Sequence, residues 1–325
     1  MKPLLSARNV CKFYPIYAKG IRQRKIGEVK ACNDVSFDLY PGETLGIVGE
    51  SGSGKTTTAR TLLGALKATS GQAWFRQGDT ETDLLTLDNR RFKPFRKSIQ
   101  MIFQDPFASL NPRMTIGDIV AEPLVIHRIG TKAEREKKVS ALLERVGLKP
   151  EHRLRYAHAF SGGQRQRVGI ARALILNPSL VVADEAVSAL DVSVQAQVLN
   201  LLKELQREFQ LTYIFVAHDL SVVKHICDRV AVMYAGRIVE IGRTEDVFAN
   251  PRHPYTRMLF SAVPLPDPDT PMNFSTDGEV ADPANPPPGC SFHPRCAHCM
   301  DRCRIDSPRL VERREGHAEA CHLYD

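Results

Sequence analysis

Short apolar runs set off by glycine and proline alternate along the chain with stretches of helical periodicity. Thr44-Leu45-Gly46-Ile47-Val48 is apolar enough to be a buried strand, and beyond a glycine-rich interval Ala59, Leu62, Leu63 and Leu66 recur at i, i+3, i+4 and i+7, predicting an amphipathic helix. Upstream, residues 10–14 and the alternating 35–39 read as strands, the second closed by a Pro41-Gly42 turn. Residues 70–75 and 97–104 predict two further strands. The pattern then changes: residues 116–124 predict a short helix, and residues 133–146 a longer one with Val139, Leu142, Leu143 and Val146 on one face and a solvated charged face of Glu134, Arg135, Glu136, Lys137 and Lys138. Past residue 160 the chain alternates again. Leu180-Val181-Val182-Ala183 and residues 212–217 are buried strands, and between them lies a helix with Val194, Val198, Leu201, Leu202, Leu205 and Phe209 inward. Residues 229–241, broken by Ala235-Gly236, read as a hairpin. Strand and helix alternating in this way predict an α/β fold with a helical insertion at 106–160.

The polar residues at the ends of these strands bring the first chemistry. Gly49-Glu50-Ser51-Gly52-Ser53-Gly54-Lys55-Thr56 satisfies G-x-x-x-x-G-K-[ST] between a strand and a helix. Glycines free backbone N–H groups to point inward and the helix N-terminus adds partial positive charge, so the interval predicts a triphosphate cradle. A chance glycine turn would not come with the strand before it and the helix after it. A second candidate helix start is Phe160-Ser161-Gly162-Gly163-Gln164, where Ser161 is a natural N-cap. The 180–183 strand delivers two carboxylates, Asp184 and Glu185, at its C-terminal end, where open α/β sheets place their chemistry. Asp184 suits a Mg²⁺ shell and Glu185 a base that polarises water; the alternative is a strand ending in solvated acids. Ser188-Ala189-Leu190-Asp191 turns into the next helix, and the following strand ends in His218, able to donate to a phosphate. Gln104 ends a strand and would be unremarkable alone. Tyr14 could stack on a purine or sit in a core.

Composition adds bounds. The 325 residues suffice for a large domain with an appendage. No apolar run approaches the eighteen or so residues of a membrane span, and the first residues lack the apolar core of a signal peptide, so a cytoplasmic location is expected. The net charge of +7 is spread along the chain, including a basic stretch at 19–25; it permits a polyanionic partner or an anionic membrane surface, but solvated charge explains it more simply. Of eight cysteines, Cys11, Cys32 and Cys227 are scattered, whereas Cys290, Cys296, Cys299, Cys303 and Cys321 crowd the end. In a cytosolic chain such a cluster reads as metal binding before disulfides.

Taken in order, the phosphate loop, Gln104, Ser161 to Gln164, Asp184-Glu185, Ser188 to Asp191 and His218 resemble the nucleotide-binding domain of ATP-binding cassette (ABC) transporters over about residues 5–245. The resemblance implies an ABC-type P-loop NTPase with a RecA-like core, an antiparallel β subdomain and an inserted α-helical subdomain. It implies that Tyr14 stacks on adenine and that Gly49, Glu50, Ser51, Gly52, Ser53, Gly54, Lys55, Thr56 and Thr57 hold the phosphates of ATP. Thr56, Gln104 and Asp184 would surround Mg²⁺, and Glu185, His218 and Gln104 would be the catalytic set. Ser161, Gly162, Gly163 and Gln164 match the signature that clasps the ATP of a second ATPase subunit, so a chain with one loop and one signature must pair, with itself or with a sister subunit. Two positions depart from the family pattern: Phe160 stands where Leu is usual, and Ala186-Val187 where Pro-Thr is commonest.

Residues 246–325 are similar to the C-terminal extension of oligopeptide/dipeptide import ATPases, of the F-type subunit, through Asn250-Pro251-Arg252-His253-Pro254-Tyr255-Thr256-Arg257, Ser261 to Pro264 and the run Gly289 to Cys296. A proline-rich linker is expected over 264–288. That resemblance implies a peripheral ATPase on the cytoplasmic face of the membrane, powering di- or oligopeptide uptake with two permease subunits and an extracytoplasmic solute-binding protein. Nickel, opines or oligosaccharides are alternative cargoes, and a soluble ABC ATPase acting on nucleic acid or the ribosome is an alternative of another class, though no specific nucleic acid is expected. It further implies a 4Fe–4S cluster on Cys290, Cys296, Cys303 and Cys321, leaving Cys299 over. Zinc competes, through Cys296-x-x-Cys299 and His317-x-x-x-Cys321.

Overall fold

A computed structural model describes residues 1–18, 24–261 and 281–325. Most of the basic 19–25 stretch, residues 262–264 and most of the 264–288 linker lie outside the described residues. Along the chain the elements run β1 (Leu5–Tyr17), β2 (Lys25–Leu39), β3 (Thr44–Val48), α1 (Lys55–Leu62), β4 (Ser70–Gln77), β5 (Thr80–Asp83) and α2 (Asn89–Phe92). There follow β6 (Ile99–Ile102), α3 (Ile116–Ile126), α4 (Lys132–Arg145), α5 (Gly162–Leu174), β7 (Leu180–Asp184), α6 (Val192–Phe209) and β8 (Thr212–Val216). The last are α7 (Leu220–Ile226), β9 (Arg229–Tyr234), β10 (Arg237–Arg243), α8 (Thr244–Ala249), α9 (Pro254–Ser261), α10 (Asp301–Ile305), β11 (Val311–Arg314) and β12 (His317–Glu319). No helix among the described residues is long and apolar enough to cross a membrane. The chain divides into two compact units, residues 1–40, 44–87 and 217–325 in one and residues 41–43 and 88–216 in the other.

In the first unit β2, β1, β4 and β5 form an antiparallel sheet in that order, with Leu5, Ala7, Val10, Val35, Leu39 and Phe75 buried. The β1–β2 register shifts beside Asn9 and Asp34, both at positive φ, the residue types that tolerate it best. β3 pairs in parallel with β9, and β9 pairs with β10 across a two-residue turn. Ala235 (φ 45°) and Gly236 (φ 81°) take the left-handed pair of conformations whose twist matches the strands. β10 then pairs with β12, and β12 with β11, so the cysteine-rich tail joins this unit by strand pairing. The predicted helix after the phosphate loop is shorter than its periodicity suggested: α1 ends at Leu62, because Gly64 turns left-handed (φ 65°) and its N–H closes onto Thr61 O.

Charged side chains fix the tail to β10. Glu240, fully buried, accepts from His317 Nε2 (2.7 Å) and from the backbone N–H of Arg252 (2.8 Å) and His253 (2.9 Å). Glu319, also fully buried, meets Arg252 Nε (3.2 Å) and Arg313 Nε (3.3 Å). Burial would raise the Glu240 carboxyl, but the bonds from His317, Thr256 and the two amides outweigh it and hold it below its ordinary value. His253 is pushed down to about 4 by burial, against the pull of Glu240. Its Nδ1 accepts from Tyr255 N–H (3.0 Å), so the ring is neutral with its proton on Nε2. Because the folded-state value lies below that of the unfolded chain, the unfolded state takes up the proton first. The stability this brings is complete above about pH 6.5 and is lost as pH falls toward 4. We expect about 2 kcal/mol less unfolding free energy at pH 5 than at pH 7.5 from this residue. His253→Asn keeps an acceptor for Tyr255 N–H and should flatten that dependence in urea titrations; an unchanged slope would exclude His253 as its source.

In the second unit β6, β7 and β8 run parallel, Leu180 to Ala183 matched with 99–102 on one side and 212–215 on the other. The helices have clear local starts. Thr115 caps α3; Thr131 and Glu134 form a capping box on α4, and Ser161 and Gln164 form one on α5. Ile116, Ile119, Val120, Leu124, Val139 and Leu143 form the buried face of α3 and α4. The 97–104 strand is realised only as β6. Asp105 Oδ1 accepts from Phe107 N (2.7 Å) and Ala108 N (3.2 Å), an Asx turn that takes the chain out of the extended conformation.

Candidate functional site

β3 is buried at all five positions and delivers the chain into the loop of Gly49 to Gly54. Gly49 (φ 149°), Gly52 (φ 78°) and Gly54 (φ 101°) take conformations that L side chains rarely adopt. A Cβ on Gly49 would lie 2.2 Å from Met233 O, and one on Gly54 2.0 Å from Ala31 O, so the loop is pressed against neighbouring backbone. Gly236 N donates to Ser53 O (2.9 Å), and Ser53 N to Glu50 O (3.2 Å). The Lys55 side chain is buried, and its Nζ donates to Gly49 O (2.8 Å) and Glu50 O (2.9 Å). α1 begins at Lys55 with no side-chain cap and no acidic residue in its first turn, which suits an anion at its N-terminus. Ser53 Oγ, buried, has no hydrogen-bond partner among the described residues. Ser51 and Gly52 form the loop's turn, and Thr56 and Thr57 lie in the first turn of α1.

Two contacts on this loop escaped the sequence reading. Glu50 N donates to Tyr255 Oη (2.8 Å), and the Glu50 carboxylate pairs with Arg295 of the tail (2.8 and 3.0 Å). Both residues fall in the tail runs that carry the resemblance, but nothing in those runs points to the loop. In the same unit Tyr14 is 37% exposed on β1, opposite Val29, with Lys12 Nζ 4.8 Å from its ring centroid. It is a surface ring, not a core tyrosine. His218 is exposed; Ala217 N before it donates to Ile47 O of β3 (3.2 Å), and Asp219 after it caps α7 through Ser221 N (2.8 Å).

The second unit brings together Gln104 and Glu185: Gln104 Nε2 donates to Glu185 Oε2 at 2.7 Å. Glu185 sits at φ 49°, a strained conformation for glutamate. It is held there by Glu185 N to Val216 O (2.9 Å) and by Ser188 N and Oγ to Glu185 O (3.1 and 3.0 Å). Asp184, at the end of β7, is buried. Ala186 and Val187 are buried too, so the unusual pair after Glu185 fills core space. At α5, Gln164 N donates to Ser161 Oγ (3.4 Å) and Ser161 N to Gln164 Oε1 (3.1 Å). A Cβ on Gly163 would fall 2.4 Å from Val194 Cγ1, so glycine there is set by the approach of α6 as well as by any ligand, whereas a Cβ on Gly162 would meet Leu190 at an ordinary 3.5 Å. Phe160 is buried with its ring edge-on to His152 (5.2 Å), an apolar role that Leu could also fill.

In the tail, Cys290, Cys296, Cys303 and Cys321 line one cavity of about 10 Å³, the room of a single water. Burial pushes the Cys290 and Cys321 thiols up to about 11 and raises Cys296 as well. Among the described residues, however, no three His, Cys, Asp or Glu side chains are disposed as a metal-binding group. The iron–sulfur expectation therefore has the convergence of four thiols but not an assembled ligand set. The zinc alternative fares worse: of its four ligands only Cys296 and Cys321 line that cavity, while His317 and Cys299 do not, and Cys299 directs its Sγ to Met300 O (3.6 Å).

Two stretches of the chain match known families. The ABC transporter family matches residues 32–188, and the oligopeptide/dipeptide transporter C-terminal region matches residues 239–303. The oligopeptide transport ATP-binding protein AppF of Bacillus subtilis is 52% identical over 99% of this chain and 97% of its own length. The dipeptide transport ATP-binding protein DppF of Haemophilus influenzae is 48% identical, again over 99% of this chain and 97% of its own. Among solved structures, the ATP-binding cassette MJ0796, a dimer in a post-hydrolysis state with ADP and Pi, superposes with a TM-score of 0.63 at 29% identity, covering 74% of this chain and 98% of that one.

Proposed function

This chain belongs to the ATP-binding subunits of ABC transporters, in the branch that carries the oligopeptide/dipeptide C-terminal region, and on that footing we propose that it hydrolyses ATP to power the import of di- or oligopeptides. The observation that carries the peptide reading is near-full-length identity of about one residue in two to peptide-import ATP-binding proteins, tail included.

The chemistry assigned to each residue follows from its surroundings. Backbone N–H groups of the loop, the N-terminus of α1 and the Lys55 ammonium would stabilise charge spread over the β- and γ-phosphates. Glu185 would accept a proton from the attacking water, with the Gln104 amide holding one carboxylate oxygen in place. His218 would contact the γ-phosphate, and exposed Tyr14 would stack on the base. Thr56 hydroxyl, Gln104 amide oxygen and Asp184 carboxylate are the hard oxygen donors that Mg²⁺ takes, and when bound that ion neutralises phosphate charge. Ser161, Gly162, Gly163 and Gln164 would close on the nucleotide of a second cassette, so hydrolysis requires a pair of ATPase subunits. Such a subunit sits peripherally on the cytoplasmic face of the membrane, against two permease subunits served by a solute-binding protein.

Expression with permease subunits of this transporter class, followed by anaerobic purification, tests the assignment. The chain should copurify with the permease from membranes, and its ATPase should rise when a peptide-loaded binding protein is added. A chain that never recruits a permease, yet binds DNA tightly at physiological salt, would overturn it. The same preparation decides the tail: we propose its four converging thiols as cluster ligands, and a colourless, iron-free sample refutes that.

A further inference from the structure

We propose that Arg295, in the cysteine-rich tail, is a positioning residue of the nucleotide site: it neutralises and orients Glu50 so that the phosphate loop can accept a polyanion. The inference rests on the ATP-binding role proposed above for that loop. Glu50 is one of the loop's own variable positions, and its carbonyl receives the Lys55 ammonium at 2.9 Å. A carboxylate at that place opposes everything else the loop does. The glycine turns, the uncapped start of α1 and Lys55 all favour negative charge, whereas a free Glu50 would repel it through a partly buried, weakly screened path.

Arg295 cancels that charge. Its Nη1 meets Glu50 Oε2 at 2.8 Å and its Nη2 meets Glu50 Oε1 at 3.0 Å, a two-pronged pair that fixes the plane of the carboxylate. The guanidinium side chain is only 3% exposed, and that of Glu50 22%. It is braced by the Tyr234 and Phe292 rings, with centroids at 5.9 and 5.8 Å, and by Met258 Sδ at 3.7 Å. Tyr255 reinforces the tether from the same side, accepting Glu50 N–H through its hydroxyl. Tyr255 and Phe292 themselves pack together with Tyr234, so hairpin, α9 and tail present one rigid face to the loop. The pair joins residues 245 positions apart. An arginine this enclosed, supplied from so far along the chain to one loop carboxylate, marks the tail as a structural part of the nucleotide site.

ATP affinity of the full-length chain, by titration calorimetry, together with KM and kcat for ATP, tests the assignment. Arg295→Met should weaken ATP binding about tenfold or more, because it leaves the Glu50 carboxylate unpaired beside the phosphates. Glu50→Gln alone removes the carboxylate that Arg295 neutralises, and its affinity is the reference for the double variant. The double variant Glu50→Gln/Arg295→Met should recover to within about threefold of that reference, a rescue that a merely structural arginine would not show. If Arg295→Met fails to fold, Arg295→Lys carries the readout: it keeps the charge but loses the fork, and should raise KM severalfold with kcat within about twofold. Wild-type affinity in folded Arg295→Met, no rescue in the double variant, or an unchanged KM in Arg295→Lys overturns the proposal. A wild-type chain that binds no ATP would instead overturn the function on which it rests.

Discussion

Glu185→Gln should bind ATP with near wild-type affinity and turn it over about 10²- to 10⁴-fold more slowly, the range a positioned general base contributes. The substitution isolates the base because it leaves the surroundings intact. Glu185 is held at φ 49° by backbone contacts to Val216 and Ser188, none of which involves its side chain. The Gln104 amide, 2.7 Å from Oε2, can donate equally well to the amide oxygen of a glutamine. Only the capacity to take a proton disappears. Since the proposed phosphate loop is untouched, ATP should accumulate in the site and hold the paired subunits together. Size-exclusion chromatography with ATP, beside single-turnover hydrolysis, reads both effects. Wild-type turnover would remove Glu185 as the base and shift attention to His218.

The sites that read cleanly from sequence are those whose chemistry is local. Glycine, lysine and threonine between a five-residue apolar strand and an amphipathic helix define the loop wherever the rest of the chain lies, and β3 and α1 are found around it. Ser161 with Gln164 three residues on is a cap written in a single turn. Periodicity failed where one residue changes the backbone: Leu66 continues the helical pattern on paper, but Gly64 at φ 65° ends α1 before it. Asp105 likewise cuts short a strand that composition would extend to 104. Tyr14 is undecidable from sequence because a half-buried strand accepts a tyrosine on either face; its exposure removes only the core reading. Arg295 and Glu240 were beyond reach for another reason. Their partners lie 245 and 77 positions away, and nothing in a run of tail residues distinguishes the arginine that reaches the loop from its neighbours. The spacing that suggested zinc does not carry over either, because neither His317 nor Cys299 lines the cavity on which the other cysteines converge.

Lys55→Ala should abolish measurable ATP binding at millimolar nucleotide, a loss of about 10²-fold or more, because hydrogen bonds to charged groups contribute roughly 1.5–3 kcal/mol each and the lysine would make more than one to the phosphates. The side chain is nearly fully buried along the loop, and its ammonium bonds the Gly49 and Glu50 carbonyls. Those bonds raise a competing possibility, that the lysine braces the loop and touches nucleotide only indirectly. Lys55→Met separates the two. It fills most of the same volume and leaves the glycine geometry, the Ser53 to Gly236 bond and the Tyr255 tether in place, so the loop should keep its shape while losing the cation. If Lys55 meets phosphate, both variants lose ATP to a similar degree while adenosine, which lacks phosphate, is bound as weakly or as well as by the wild type. Unchanged ATP affinity in Lys55→Met, with a lowered melting temperature in Lys55→Ala alone, would instead assign Lys55 to the scaffold of the loop and leave the phosphate charge to the backbone and α1.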